Sequence, residues 1–148
     1  MRSIQLKDYG KAEMMYIGES DMPRLKSNEV MVKVEAFAVN RADILQRKGK
    51  YPSPEGSSPL MGLEIAGTIY DSHNSKKWKI GDRVCGLVPG GGYAEYTAVD
   101  EEMLLPLMED MSFEKAAAIP EVFLTAYLAL EWFGKVEKGD NVLLHASA

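Results

Sequence analysis

Polar side chains with the types and spacing needed for chemistry are concentrated between residues 40 and 51. Asn40 and Asp43 lie three positions apart at the start of the helical pattern "NRADILQRKG", a spacing typical of a capping box. Tyr51 follows in the loop "GKYPSPEG", where a phenol can donate a hydrogen bond to a planar ligand or stack on its ring. The structural alternative is that Asn40 and Asp43 only cap the helix and that Tyr51 packs on the neighbouring prolines.

Residues that bind metals or act as nucleophiles are scarce. The chain has one cysteine and two histidines, so it cannot form an internal disulfide, which is typical of a reducing compartment. Cys85, in "DRVCG", is expected to be a small buried residue on a strand. We expect His73 to lie in a solvated turn and His145 to be buried in the last strand, neither of them as a catalytic base.

The elements that position these residues change in character once along the chain. Up to about residue 105, alternating segments such as "EVMVKVEAFAV", "LEIAGTIYDS" and "YAEYTAV" predict short strands joined by glycine turns. From Ser112, an expected N-cap, the period is helical, and Pro120 precedes an apolar helix over residues 121–133. Thr125 is a lone hydroxyl in that helix, where a bond to its own backbone is the structural alternative. The apolar run Val142–Leu144 predicts a buried parallel strand.

Composition and charge argue against several classes of function. A hydrophobic content of 46% and a charged content of 26% are typical of a globular domain with a core of its own. A net charge of −5, with no basic run longer than Lys76–Lys77, argues against a nucleic-acid surface. The sequence "MRSIQLKDYG" lacks the apolar core of a signal peptide, and the longest apolar stretch is too short to span a bilayer. We therefore expect a cytoplasmic protein that binds neither nucleic acid nor membrane.

Three runs of sequence carry a family resemblance that covers nearly the whole chain. The runs "VNRADILQRKGKYPSPEGSSPLMGLEIAG", "WKIGDRVCGLVPGGGYAEYTAV" and "AAAIPEVFLTAYLAL" resemble, in this order, the medium-chain dehydrogenase/reductase superfamily. Within it the chain is most similar to zinc-free quinone oxidoreductases, in particular the p53-inducible quinone oxidoreductase type. The resemblance implies a mainly β fold with short helices: a GroES-like β-barrel domain over residues 1–120, then the first helix and strand of a Rossmann domain over residues 121–148.

The same resemblance argues against zinc chemistry. Alcohol dehydrogenases of this superfamily place a cysteine before the Asp of the short helix and a histidine in a Gly-His-Glu stretch. The matching positions here are Asn40 and Leu63, and neither side chain offers a thiolate or an imidazole. The structural zinc lobe needs four closely spaced cysteines, whereas this chain has only Cys85. We therefore expect no metal site.

The implied activity is hydride transfer from NADPH to a quinone. The resemblance assigns Tyr51 as the catalytic residue beside the acceptor, and Asn40, Asp43, Tyr51 and Thr125 as contacts of the nicotinamide. It implies that Glu64, in "GLEIAG", is a structural hydrogen-bond acceptor near the cleft, and that the full-length protein is a homodimer. Two alternatives stay open, a zinc-free reductase of activated alkenes and a non-catalytic, truncated GroES-like interaction module.

The end of the sequence carries a further expectation. The segment "NVLLHASA" resembles the first strand of a nucleotide-binding domain, but no G-x-G-x-x-G turn occurs in the 148 residues. We therefore expect an N-terminal part of a longer reductase that is inactive by itself. In such a part, the apolar helix 121–133 lacks its cover and exposes Phe123, Tyr127, Leu130 and Trp132.

Overall fold

The computed structural model describes residues 1–145 and consists mainly of antiparallel β-structure. A two-stranded sheet pairs β1 with β2, and a five-stranded sheet has the order β6-β3-β4-β5-β7. The two sheets meet where Ser3 bridges Ala94. The strands are β1 (Arg2–Leu6), β2 (Met15–Glu19), β3 (Glu29–Phe37), β4 (Glu64–Asp71), β5 (Arg83–Leu87), β6 (Tyr96–Asp100) and β7 (Leu104–Pro106). This arrangement confirms the predicted fold class.

The central strands β3 and β4 form because apolar and β-branched residues dominate them. Val30 and Val32 of β3 and Ile65 and Ile69 of β4 are almost completely buried, and they pack with Trp78 in the main core. The predicted alternation of β3 is present in its second half, where Lys33 and Glu35 are exposed. In its first half, Met31 is buried as well, so that part of the strand is covered on both faces.

Two short helices flank the sheet. Helix α1 spans Arg41–Arg47, and Gly49 follows it with a φ of 71°, a backbone conformation that glycine adopts without strain. Helix α2 spans Phe113–Ala117 and begins as predicted, with the Ser112 hydroxyl accepting a hydrogen bond from the Lys115 N–H. Ala116 and Ala117 face the sheet and form a second core cluster with Ala66 and Cys85. Small side chains here allow the helix to approach the strands closely.

The apolar helix begins one residue earlier than predicted and changes its geometry halfway. Helix α3 spans Pro120–Tyr127, and a π-helical segment continues it over Leu128–Phe133. Its side chains are largely exposed, as expected from the sequence: Phe123 is 65% and Trp132 is 68% exposed. Only the start of α3, at Pro120, is buried against the sheets.

The predicted strand at Val142–Leu144 was wrong for the residues described. Val142, Leu143 and Leu144 have no strand hydrogen bonds, and their side chains are exposed. A parallel strand needs a neighbour to bind its backbone N–H and C=O groups, and no such neighbour is present within residues 1–145. His145 is exposed and not buried, and Ala146–Ala148 lie outside the described residues. Over the described part of the chain, no helix is both long and apolar enough to cross a bilayer.

Candidate functional site

The start of α1 is built around a buried carboxylate. Asn40 is the N-cap residue, and its backbone N–H donates to Asp43 Oδ2 at 2.7 Å, as the capping-box spacing predicts. Asp43 is only 1% exposed, and its second oxygen, Oδ1, has no hydrogen-bond partner in the described part of the chain. An unpaired buried carboxylate oxygen is costly, and the buried hydroxyl of Tyr93 lies close enough to Asp43 to act as its donor.

A second buried carboxylate joins α1 to α3. Glu64, the first residue of β4, is 1% exposed. Its Oε1 accepts a hydrogen bond from Asn40 Nδ2 at 2.7 Å, and its Oε2 accepts one from the Glu121 backbone N–H at 2.8 Å. Asn40 therefore contacts two buried carboxylates, Asp43 with its backbone and Glu64 with its side chain. Sequence analysis identified Glu64 as an acceptor but did not identify its partners.

Tyr93 lies close to these two carboxylates and was not predicted as a site residue. Its ring contacts Phe37, with 4.5 Å between centroids, and its buried hydroxyl lies close to Asp43, although no hydrogen bond of standard geometry joins the two. Burial raises the pKa of Tyr93 far above its usual value, and the negative charges of Asp43 and Glu64 raise it further. Tyr93 follows the turn Gly90–Gly92, which was the one sequence signal for a close backbone approach at this point.

Tyr51 lies at the mouth of a groove of about 420 Å³. Its side chain is 42% exposed, and the loop that carries it is tied to α1 by a hydrogen bond from Gln46 Nε2 to Ser53 Oγ at 2.7 Å. The volume is within the usual range of small-molecule sites, about 300–1,000 Å³. Most of the side chains that line the groove are apolar, among them Leu63, Leu87, Val88, Pro89 and Met103. Tyr51 and three acidic residues, Glu29, Asp100 and Glu121, also line it.

The structure brings only one of the four predicted contact residues to this groove. Asn40 and Asp43 do not line it, although Asn40 is linked through Glu64 to Glu121, which does. Thr125 is exposed on α3 and does not line it either. A larger cavity of about 530 Å³ lies beside Arg24, Lys26 and Ser57, but it contains none of the predicted residues. The Tyr51 groove is therefore the candidate site.

The positions that match zinc ligands in alcohol dehydrogenases carry groups that do not bind zinc well. Asn40 donates its amide to Glu64, and Leu63 is a buried aliphatic residue. Among residues 1–145, no three or more His, Cys, Asp or Glu side chains are grouped so as to hold a metal ion. Cys85 is buried on β5 as predicted, and burial, followed by the charge of Glu64, raises the pKa of its thiol. A thiol with a raised pKa is a poor nucleophile.

Comparison with known families identifies the β-rich part of the chain. Residues 26–109 match the alcohol dehydrogenase GroES-like domain, which is more than half of the 148 residues. The chain belongs to this family. The match spans β3 to β7 and includes α1, Tyr51, Glu64 and Tyr93, so the candidate site is made almost entirely of family residues.

The chain is similar to several named proteins, one of which is a quinone oxidoreductase. The chain is 32% identical over 152 residues to quinone oxidoreductase of Lama guanicoe, covering 100% of this chain and 46% of the relative. It is 30% identical to the synaptic vesicle membrane protein VAT-1 homolog-like of Mus musculus, covering 99% of this chain and 36% of the relative. The structure of mycobacterial Rv1454c complexed with NADPH superposes with a TM-score of 0.89 at 28% identity, covering 100% of this chain and 46% of the other.

These similarities confirm the predicted membership of the medium-chain dehydrogenase/reductase superfamily. The GroES-like fold class is confirmed as well. The chain spans between about a third and a half of the length of these relatives. Their complete activities therefore come to this chain only as proposals.

Proposed function

We propose that this chain forms the acceptor side of an NADPH-dependent quinone oxidoreductase that works without zinc. In this proposal, residues 1–120 form the GroES-like substrate domain, and residues 121–148 begin the nucleotide-binding domain. The observation that carries the proposal is the apolar groove with the Tyr51 phenol at its mouth, beside two positions where Asn40 and Leu63 replace zinc ligands. Two relatives that are named quinone oxidoreductase, from Lama guanicoe and Mus musculus, support the proposal.

The groove suits an acceptor that is already electron-poor. NADPH, when bound, supplies a hydride, and a quinone takes up the developing negative charge on its own conjugated oxygens. The protein then has to hold a flat apolar ring, exclude water and donate a hydrogen bond to an oxygen that gains charge. Leu63 and Val88 provide the apolar wall, and the exposed Tyr51 hydroxyl provides the donor. In the zinc alcohol dehydrogenases of this superfamily, a metal stabilises the alkoxide during alcohol oxidation.

Residues beside the groove offer contacts that a nicotinamide ring could use. The amide of Asn40 has a second N–H hydrogen besides the one that it donates to Glu64. Asp43 Oδ1 is a buried acceptor that lies close to the buried hydroxyl of Tyr93. We propose that Asn40, Asp43 and Tyr51 contact the nicotinamide, and that Thr125 on α3 reaches it from the side of the nucleotide-binding domain. A buried acceptor and an amide donor are the groups that recognise a carboxamide.

The proposal also covers the cellular compartment, the substrate and the oligomeric state of the protein. We propose a cytoplasmic enzyme whose partner is a quinone or another electron-poor small molecule and which forms a homodimer at full length. Its net charge of −5 and single, buried cysteine agree with a protein that binds no nucleic acid and works in a reducing compartment.

The test compares the 148-residue chain with a protein in which the nucleotide-binding half of a quinone oxidoreductase follows it. We expect negligible NADPH binding by the chain alone, and NADPH binding with quinone reduction by the extended protein. Naphthoquinone and an enone are assayed side by side, so that a preference for the enone would assign the protein to the reductases of activated alkenes. Tight NADPH binding by the chain alone, or no reduction of either acceptor by an extended protein that binds NADPH, would refute the proposal.

The role of Tyr51 is tested by Tyr51→Phe in the extended protein. Loss of one hydrogen bond to the acceptor, worth about 1.4 kcal/mol, lowers kcat/KM for the quinone about tenfold. Tyr70→Phe is the matched control, because Tyr70 is an exposed tyrosine on β4 that does not line the groove. Equal quinone turnover by Tyr51→Phe and the unchanged protein would remove Tyr51 from the catalytic residues.

A further inference from the structure

Helix α3 has no residue of its own that can cap its first turn. The residue before it, Ile119, has an aliphatic side chain and helical backbone angles (φ −96°, ψ −50°), whereas an effective N-cap needs a polar side chain on an extended backbone. Pro120, the first helical residue, carries no N–H. The Glu121 N–H is therefore the first free donor of the helix, and it needs an acceptor from elsewhere in the fold.

Glu64 is that acceptor, although it lies 57 positions earlier in the sequence. Its Oε2 is 2.8 Å from the Glu121 nitrogen, while its Oε1 is bound to the Asn40 amide at the start of α1. The carboxylate is 1% exposed and forms no salt bridge with any residue that the structure describes. Two N–H donors and the positive end of the α3 dipole therefore stabilise its charge in place of a basic side chain.

We propose that Glu64 is a positioning residue that holds the N-termini of α1 and α3 on a single carboxylate. Because Glu121 lines the groove and Tyr51 lies in the loop that follows α1, the carboxylate fixes the separation of the two groove walls. The effect on the groove rests on the proposed function, but the shared cap does not. Beyond the start of α3, the side chains from Val122 to Phe133 are exposed, so Glu64 and the buried Pro120 are its main anchors.

The experiment is amide hydrogen exchange of the 148-residue chain, resolved to single residues by electron-transfer fragmentation in mass spectrometry. Glu64→Met removes both acceptor oxygens at a similar side-chain volume, and we expect the Glu121 amide to exchange at least tenfold faster. Glu64→Gln keeps one acceptor oxygen and should restore part of the protection, which a purely steric role would not predict. Glu95→Met is the control, because Glu95 also accepts a backbone N–H, that of Arg2, and does not line the groove that Glu121 lines.

A comparison within the unchanged protein covers the case in which Glu64→Met does not fold. The Val122 amide lies in the same turn but has no backbone hydrogen bond within residues 1–145. We expect Glu121 to exchange at least tenfold more slowly than Val122 after correction for intrinsic rates. Equal rates for these two amides, or unchanged Glu121 protection in folded Glu64→Met, would overturn the proposal. Neither measurement involves NADPH or a quinone, so failure here is separate from failure of the proposed function.

Discussion

Individual residues of the site differ in how many of their hydrogen-bonding groups the fold uses. Asn40 uses its backbone N–H on Asp43 and one amide hydrogen on Glu64. Asp43 keeps one oxygen without a partner, and Tyr93 keeps its hydroxyl unpaired, within the described residues. Buried groups that stay unpaired in a folded protein reduce its stability unless a ligand or water binds them. Because the Tyr93 hydroxyl and Asp43 lie close to each other, a direct hydrogen bond between them would satisfy both groups.

The raised pKa of Tyr93 gives a pH dependence with a defined sign. Since its pKa is higher in the folded than in the unfolded chain, Tyr93 favours folding below pH 10, and this contribution is lost as the pH rises above 10. By pH 11 the loss amounts to about 1 kcal/mol in the free energy of unfolding. Urea unfolding at pH 9 and pH 11 measures it, with Tyr93→Phe as the comparison. An equal loss in Tyr93→Phe would show that the other tyrosines cause it.

At the scale of elements, helices α2 and α3 differ in how much of their apolar surface is buried. Helix α2 is only five residues long, but Ala116 and Ala117 are buried against the sheet. Helix α3 with its π-helical continuation is longer, yet its aromatic and aliphatic side chains face solvent over the residues described. A helix that is apolar on nearly every side is normally covered by other elements. The α3 segment therefore presents a surface suited to association.

This exposed surface predicts binding of hydrophobic dyes and self-association. The double change Phe123→Ser and Trp132→Ser removes two aromatic rings that are each about two-thirds exposed. We expect at least a halving of dye fluorescence and a shift toward monomer in sedimentation velocity, because each ring contributes about 2–3 kcal/mol when it is buried between molecules. Ile80→Ser is the matched control, since Ile80 is equally exposed but lies in a turn. A monomeric chain that binds no dye would contradict the prediction.

Structural features that depend on residues close together in sequence were predicted correctly, whereas features that depend on distant residues were not. The capping box at Asn40 and Asp43 and the Ser112 cap were predicted correctly, because both depend on residues three positions apart. The hydrogen bond from the Glu121 N–H to Glu64 was not predicted, because no local pattern relates residues so far apart in sequence. The strand at Val142–Leu144 was wrong because a strand depends on a partner that its own sequence does not specify.

For the whole molecule, both hydrophobic clusters are complete by Ala117. The larger contains the valines and isoleucines of the sheets, and the smaller contains Ala66, Cys85, Ala116 and Ala117. The family and the fold class were predicted from the resemblance of three ordered sequence runs, the last of which continues into α3. The division at residue 120 stays a prediction. The buried Tyr93 was missed because its pattern is that of an ordinary strand, and only the three-dimensional fold places it near Asp43 and Glu64.

This distribution of the core predicts that the β-rich part folds by itself. A chain ending after Glu121 keeps both clusters and the Glu64 hydrogen bond, so its Tm should change by less than about 5 °C, or about 1 kcal/mol. A chain ending after Met111 loses Ala116 and Ala117 and should be strongly destabilised. Thermal unfolding followed by the fluorescence of buried Trp78 measures both. Loss of cooperative unfolding in the longer of the two would refute the prediction.

The backbone crossing at Gly62 has a consequence for attempts to alter substrate preference. Gly62 has a φ of 101°, a backbone conformation that favours glycine. A Cβ at this position would lie only 2.4 Å from the Tyr93 nitrogen, so any larger residue would push the main chain at Gly62 away from the main chain at Tyr93. Leu63, which lines the groove, and Glu64 follow directly in the chain. A mutant library aimed at new acceptors should therefore keep Gly62 invariant and diversify Pro52 and Glu55, two exposed positions of the loop that carries Tyr51.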